Sequence, residues 1–178
     1  MSNTVQHTSP DGSVEPVTPI NNRTLYGGAG LYSVHANGLF FIANATDDVN
    51  FAPGSNFNVV FQPQGGNVEL GGSWNLAIAQ SGTFYATDAR AGDTHNTFVV
   101  GAGVSALQAV LQPSDQVLLA GVTQQDISAA FASLAEHPQP GYAETVSIPR
   151  ASGGPLTLVL PDHFNAPPSA AQFHPLGM

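Results

Sequence analysis

The stretch Leu31-Tyr32-Ser33-Val34-His35-Ala36-Asn37-Gly38-Leu39-Phe40-Phe41-Ile42-Ala43-Asn44 carries the reading on which the fold turns. Two apolar-rich runs, 31–36 and 39–44, flank the dipeptide Asn37-Gly38. Asn-Gly is a strong short-range hairpin signal, because both central positions of a type I′ turn need positive φ. The stretch therefore predicts two antiparallel strands joined by a tight turn.

Similar punctuation continues outward. Residues 56–62 set Phe57, Val59 and Phe61 on one side, and Pro63-Gln64-Gly65-Gly66 turns the chain into 67–70. Residues 74–80 alternate Trp74, Leu76 and Ile78 with Asn75, Ala77 and Ala79, the pattern of a half-buried strand. Ser81-Gly82 leads into 83–87, and 96–101 resumes with Phe98, Val99 and Val100. The period then changes. Val104, Leu107 and Leu111 sit at helical spacing until Pro113. Residues 116–122 read as a strand. Thr123 followed by Asp126 resembles a helix N-cap, with Ile127, Ala130, Phe131 and Leu134 marking the helix's buried face before Pro138. Residues 142–149 and 156–160 frame Arg150-Ala151-Ser152-Gly153-Gly154 as a second hairpin.

No period of 20–50 residues stands out, so a repeat array is not expected. The expectation is a mainly β fold, an antiparallel β-sandwich or barrel or else an α+β arrangement, with one or two short helices in the second half. Residues 1–24 carry almost no large apolar side chains and read as a flexible N-terminal arm. Residues 25–160 form a single β-rich domain. Residues 161–178, with Pro161, Pro167, Pro168 and Pro175, read as an extended C-terminal tail.

Composition bounds the function. Charged residues make up 8% of the 178, against about 25% in an ordinary soluble protein. The three cations are Arg23, Arg90 and Arg150, and the formal net charge is −9. Such a chain has no basic track for phosphates, so nucleic acid is not an expected partner, nor is an anionic membrane surface. No apolar run approaches the ~20 residues of a membrane-spanning helix. The N-terminal residues have neither the basic nor the apolar region of a Sec signal, which favours a virion or a leaderless secreted setting. Cysteine is absent, which removes disulfides, thiolate nucleophiles and cysteine-ligated metals.

Motifs that would carry chemistry lack their full context. His7, His35, His95, His137, His163 and His174 form no pair at metal-ligand spacing. Asp93-Thr94-His95 and Asp162-His163 place a carboxylate beside an imidazole in loops, where turn formation accounts for the residues. A ligand set gathered across loops, such as His35, His95 and Asp93, is not predicted by any spacing. Ser105, in Gly103-Val104-Ser105-Ala106-Leu107, lacks the second glycine of a hydrolase elbow and reads as a first-turn helix residue. Asp47-Asp48 would point to opposite faces of a strand, or chelate calcium with Asn44 or Asn50 in a loop that does not fit the twelve-residue pattern. Gly27-Gly28-Ala29-Gly30 lacks the strand before it and the helix after it that dinucleotide binding needs. No cofactor, metal or catalytic residue is therefore assigned.

Aromatic residues suggest a surface role. Tyr26, Tyr32, Trp74, Tyr85 and Tyr142 could stack on sugar rings beside neutral Asn and Gln groups, whereas Phe40, Phe41, Phe57 and Phe61 read as core. Trp74 reads as core with them, although a ligand-binding role would place it at a surface site. Asp48-Val49-Asn50-Phe51 is similar to an Asp-Val-Asn-His stretch of secreted haemophores. Phe51 stands where that family has its haem-ligating histidine, so the resemblance implies no haem ligand here and no membership.

The leading expectation is a non-enzymatic structural protein of a symmetric homo-oligomeric assembly, such as a phage or virus capsid, decoration or tail component. Its partners would be further protein subunits, since interface cores are depleted in charge. The second expectation is a secreted ligand- or glycan-binding module with Asp47, Asp48, Trp74, Asp93 and His95 at its site. A hydrolase with a dispersed site around Ser105, His95 or Asp93 comes last.

Overall fold

A computed structural model describes residues 3–21, 23–44, 46–88, 94–136, 143–161 and 168–177. Strands β1 (Thr4–Thr8) and β2 (Val14–Val17) form an antiparallel hairpin, in the region that the sequence reads as an arm. β1 pairs antiparallel with β4 (Gly30–His35), which follows β3 (Thr24–Tyr26). Next come β5 (Phe40–Ile42) and β6 (Asp47–Phe51), then β7 (Val59–Gln62) and β8 (Gly66–Glu69). The long strands β9 (Leu76–Thr87) and β10 (Thr97–Val110) follow. The chain closes with β11 (Gln116–Leu119), helix α1 (Gln124–Glu136), β12 (Glu144–Ile148), β13 (Leu156–Leu160), a short 3-10 turn at Ala170–Gln172, and β14 (Phe173–Pro175).

Pairing overturns the expected sandwich or barrel. β4 does not pair with β5 across Asn37-Gly38. β5 lies parallel to β3 and β7, while β4 lies parallel to β6. Each circuit of the chain thus places one strand in a first sheet and the next in a second. The following circuit stacks on it in register. The result is a β-solenoid of about 5 turns. The first sheet runs β3-β5-β7-β9-β10-β11-β14, all parallel. The second runs β4-β6-β8-β9-β10-β13 in parallel, with β1-β2 at one edge and β12 antiparallel at the other. β9 and β10 bend from one sheet into the other.

The core lies between the sheets. Leu25, Phe41, Val60, Ala77, Phe98, Val117 and Phe173 form one buried column of the first sheet. Tyr32, Val49, Val68, Ala86 and Ala109 form its counterpart in the second. Identical stacking every ~4.8 Å explains why each circuit repeats the same apolar positions.

Successive circuits are locked at the corners by buried asparagines. Asn58 Oδ1 accepts the Leu39 amide at 2.9 Å, Asn75 Oδ1 the Asn58 amide at 2.9 Å, and Asn96 Oδ1 the Asn75 amide at 2.9 Å. Asp115 Oδ1 ends the series on the Asn96 amide at 2.9 Å. An outer row repeats the device: Asn3 to Asn37, Asn37 to Asn56, Asn56 to Ser73, and Ser73 to Thr94. The inner-row partners are 19, 17, 21 and 19 residues apart, so the repeat is real but falls mostly below 20 residues and varies in length.

Two further readings change. Residues 104–110 are strand, not helix: the register of β9 on β10 slips between Val100 and Gly103 and again between Val104 and Ala106. A bulge adds a residue to the alternation, so Val104 and Leu107 both face the core at a spacing that mimics a helix. Arg150 braces this bulge, its guanidinium donating to the carbonyls of Ala102 at 3.0 Å, Gly101 at 3.3 Å, and Val104. The helix predicted after Thr123 is present, and Thr123 Oγ1 accepts the Asp126 amide at 3.2 Å while Asp126 accepts the Thr123 amide at 2.9 Å. Residues 156–160 pair antiparallel with 144–148, the hairpin that the sequence indicates. Among the described residues no helix is long and apolar enough to cross a membrane.

Candidate functional site

The corner motif places one residue between each pair of ladder side chains: Gly38, Phe57, Trp74 and His95. All four adopt the left-handed conformation, with φ of 70°, 58°, 61° and 62°. The two flanking side chains are turned toward the neighbouring circuit, and this conformation swings the middle side chain out to solvent. A left-handed L-residue costs about 1–2 kcal/mol, which glycine avoids. Gly38 shows that the corner accepts glycine. The next three circuits carry rings instead.

These rings are presented rather than packed away. Phe57 is 66% exposed and Trp74 56%. The Trp74 indole and His95 imidazole stack with centroids 4.4 Å apart and planes 7° apart. In the following circuit the corresponding position is Ser114, whose Oγ accepts the His95 amide at 3.2 Å. That small side chain leaves a cavity of about 120 Å³ lined by Trp74, His95, Asn96, Thr97, Ser114 and Gln116.

The two outer sheet faces contrast sharply. On the first sheet, Tyr26, Ile42, Phe61, Ile78, Val99 and Leu118 form one outward column in register, and Phe40, Val59 and Leu76 a second. The equivalent columns of the second sheet are more polar: Ser33, Asn50, Glu69 and Thr87 in one, and Leu31, Asp48, Asn67, Tyr85, Gln108 and Val159 in the other. Asp48, Asn67, Tyr85, Thr87 and Gln108 line a shallow cavity of about 370 Å³.

Of the residues singled out from sequence, Trp74 and His95 are brought together and Asp48 is not. Asp48 is the second residue of β6, at the far end of the second sheet's strands from the ring-bearing corner. Asp93 lies outside the described residues. Asp47 points inward and is buried, with Oδ2 accepting the Asn44 amide at 2.7 Å. Burial pushes its pKa up to about 6, against the opposing pull of the Asn44 amide and His7. Gly27 makes room for it, since a Cβ there would sit 2.0 Å from Asp47 Oδ2. His35 borders a separate cavity with Asn3 and Pro53. Ser105 faces outward on β10 and donates to the Gly82 carbonyl at 3.2 Å, so it is not a helix residue. Among the described residues no group of three or more His, Asp or Glu could hold a metal ion.

Phe57 and Phe40 depart from the core assignment, and only Phe41 of that quartet is fully buried. The signal for Phe57 is its frame: Asn56-Phe57-Asn58, Ser73-Trp74-Asn75 and Thr94-His95-Asn96 are one motif in three spellings. Together, fold and surfaces define a small β-solenoid with a ring-bearing corner and one apolar outer face. Comparison with known proteins finds no family model that matches the chain, and no similar curated protein or solved structure.

Proposed function

We propose that the chain is a non-enzymatic structural subunit that assembles with further copies of itself through the outer face of the first sheet, as a symmetric virion-type assembly requires. The observation that supports this is the apolar column Tyr26, Ile42, Phe61, Ile78, Val99 and Leu118. The strand spacing of about 4.8 Å makes a stripe of six rungs roughly 24 Å long. Contiguous apolar surface on that scale marks interaction sites. The second sheet acts as an internal control. It has the same rung spacing, yet Ser, Asn, Asp, Glu, Thr and Gln interrupt its outer columns, and its exposed Leu31 and Tyr85 are separated by Asp48 and Asn67.

Two such faces pack against each other at about 10 Å, as sheets do in a sandwich core. The apolar stripe ends on His174 and holds no carboxylate, lysine or arginine, so association depends on excluded water rather than on ion pairs, and salt should not disperse it. Size-exclusion chromatography with light scattering tests the reading. A dimer or larger species that persists in high salt is expected, and Ile78→Asp should yield folded monomer. A wild-type monomer at high protein concentration would sink it.

A further inference from the structure

We propose that the ring-bearing corner is a second, independent site, and that it binds neutral oligosaccharides. The backbone supplies the first reason. Phe57, Trp74 and His95 hold the left-handed conformation at a place where Gly38 shows that glycine suffices. Strained positions of this kind persist where the surrounding structure fixes them, and they cluster at binding sites. Here the two flanking ladder residues do the fixing. The rings are therefore held rigidly although they are exposed.

Ring chemistry supplies the second reason. Trp74 and His95 cover one face of each other, so the opposite face of His95 looks toward the Ser114 rung, where the cavity opens. Flat aromatic faces recognise the axial C–H face of a pyranose. The polar groups around them are the hydroxyls of Thr97 and Ser114 and the amide of Gln116, which suit sugar hydroxyls. Ser114 Oγ accepts the His95 amide and can still donate its own hydrogen. The Asn96 amide is committed to the carbonyl of Gly72 at 2.9 Å and to Asp88 at 2.7 Å, so it holds the wall in place. Among the described residues no carboxylate, lysine or arginine lines the cavity, which favours a neutral ligand over an anionic one.

The ladder also sets ligand length. The cavity of about 120 Å³ takes part of one sugar ring, while Phe57, Trp74 and His95 extend over three circuits. A sugar seated against the free face of His95 can continue along the solenoid axis past the exposed edges of Trp74 and Phe57, so oligosaccharides should bind better than a monosaccharide.

Trp74 is the chain's sole tryptophan, so its fluorescence reports on the site. The full chain is titrated with chitotriose, cellotriose and maltotriose, with glucose as the short control. At least one trisaccharide should give a saturable change with a dissociation constant of about 1 mM or tighter, and glucose should bind about tenfold more weakly. Trp74→Gly should not lower the melting temperature, because glycine suits this backbone, and should abolish binding in calorimetry. His95→Gly keeps the reporter and should weaken binding about tenfold. The proposal is overturned if no trisaccharide perturbs Trp74, or if both glycine variants bind as the wild type does. A fluorescence change that follows protein concentration rather than sugar would also overturn it, because the rings would then lie in a contact between copies. Ile78→Asp leaves the corner intact, so loss of assembly and loss of sugar binding are read separately.

Discussion

The indole of Trp74 lies flat against the imidazole of His95, with 4.4 Å between centroids and 7° between planes. Their neighbours Asn75 and Asn96 are joined by a 2.9 Å hydrogen bond spanning 21 residues of chain. The buried bond and the exposed stack belong to the same corner: the amide ladder sets the rung spacing, and the rings inherit it.

Asn75 anchors that ladder. Its Oδ1 accepts from the Asn58 amide and side chain at 2.9 and 3.0 Å, and its Nδ2 donates to the Ser55 carbonyl at 2.9 Å. Asn75→Ala leaves buried donors and an acceptor without partners, at a cost of about 2–4 kcal/mol. Asn67→Ala, on an exposed strand position, should change stability by less than about 0.5 kcal/mol. Urea denaturation of both variants checks the contrast.

Backbone strain at the corner should be measurable by exchanging glycine and ring. Phe57→Gly relieves a left-handed residue with φ of 58° and should raise stability by about 0.5–1 kcal/mol. Gly38→Ala should lower it by about 1 kcal/mol. No atom lies within 4 Å of the added Cβ, so the effect is conformational rather than steric. Thermal melts of the two variants should move in opposite directions.

Asp47 makes stability depend on pH. Burial raises its folded pKa to about 6, above the unfolded value near 4, so the folded chain holds this proton more tightly. The stabilisation from that proton is complete below about pH 4 and is lost as pH rises through about 6. Asp47→Asn imitates the protonated form. It should add about 1–3 kcal/mol at pH 7 and nothing at pH 4, as denaturation at the two pH values will show.

Arg150 should be stabilising although it forms no ion pair among the described residues. Its guanidinium reaches the carbonyls of Gly101, Ala102 and Val104 across the bulge of β10. Arg150→Ala should cost about 1–3 kcal/mol. Arg150→Lys should recover part of this, since one ammonium cannot match a planar fork. Chemical denaturation of the pair of variants distinguishes the two effects.

Strands β4, β5, β7, β8, β9, β11 and β13 are legible in the sequence, whereas β1, β2 and β14 fall in stretches that read as arm and tail, β6 carries no strand signal, and the strands' partners are not legible. Asn37-Gly38 has the local chemistry of a hairpin turn, yet the same left-handed Gly38 serves a solenoid corner, because a turn's φ does not say which strand comes alongside. The repeat hid for two reasons. Its rungs are 17, 19 and 21 residues apart, and the corner is spelled with Asn, Ser or Thr before the ring. The β10 bulge disguised Val104 and Leu107 as helical. α1 and the hairpin at 144–160 were readable because Thr123 with Asp126, and Gly153-Gly154, act through local geometry alone. Trp74 and His95 were noticed individually, but their contact depends on the register of β9 against β10, which no local pattern encodes.

The bond from Asn96 Nδ2 to Asp88 Oδ2, 2.7 Å long and 8 residues apart in sequence, closes the base of the longest corner. Asn96 also takes its place in the ladder, so both ends of this loop are tied directly to the solenoid. Residues added between them would leave every rung where it is, because loop length carries only a small entropic penalty. The corner is thus a natural display port, where a foreign peptide could be carried beside the rings of Trp74 and His95 on a scaffold that does not register its presence.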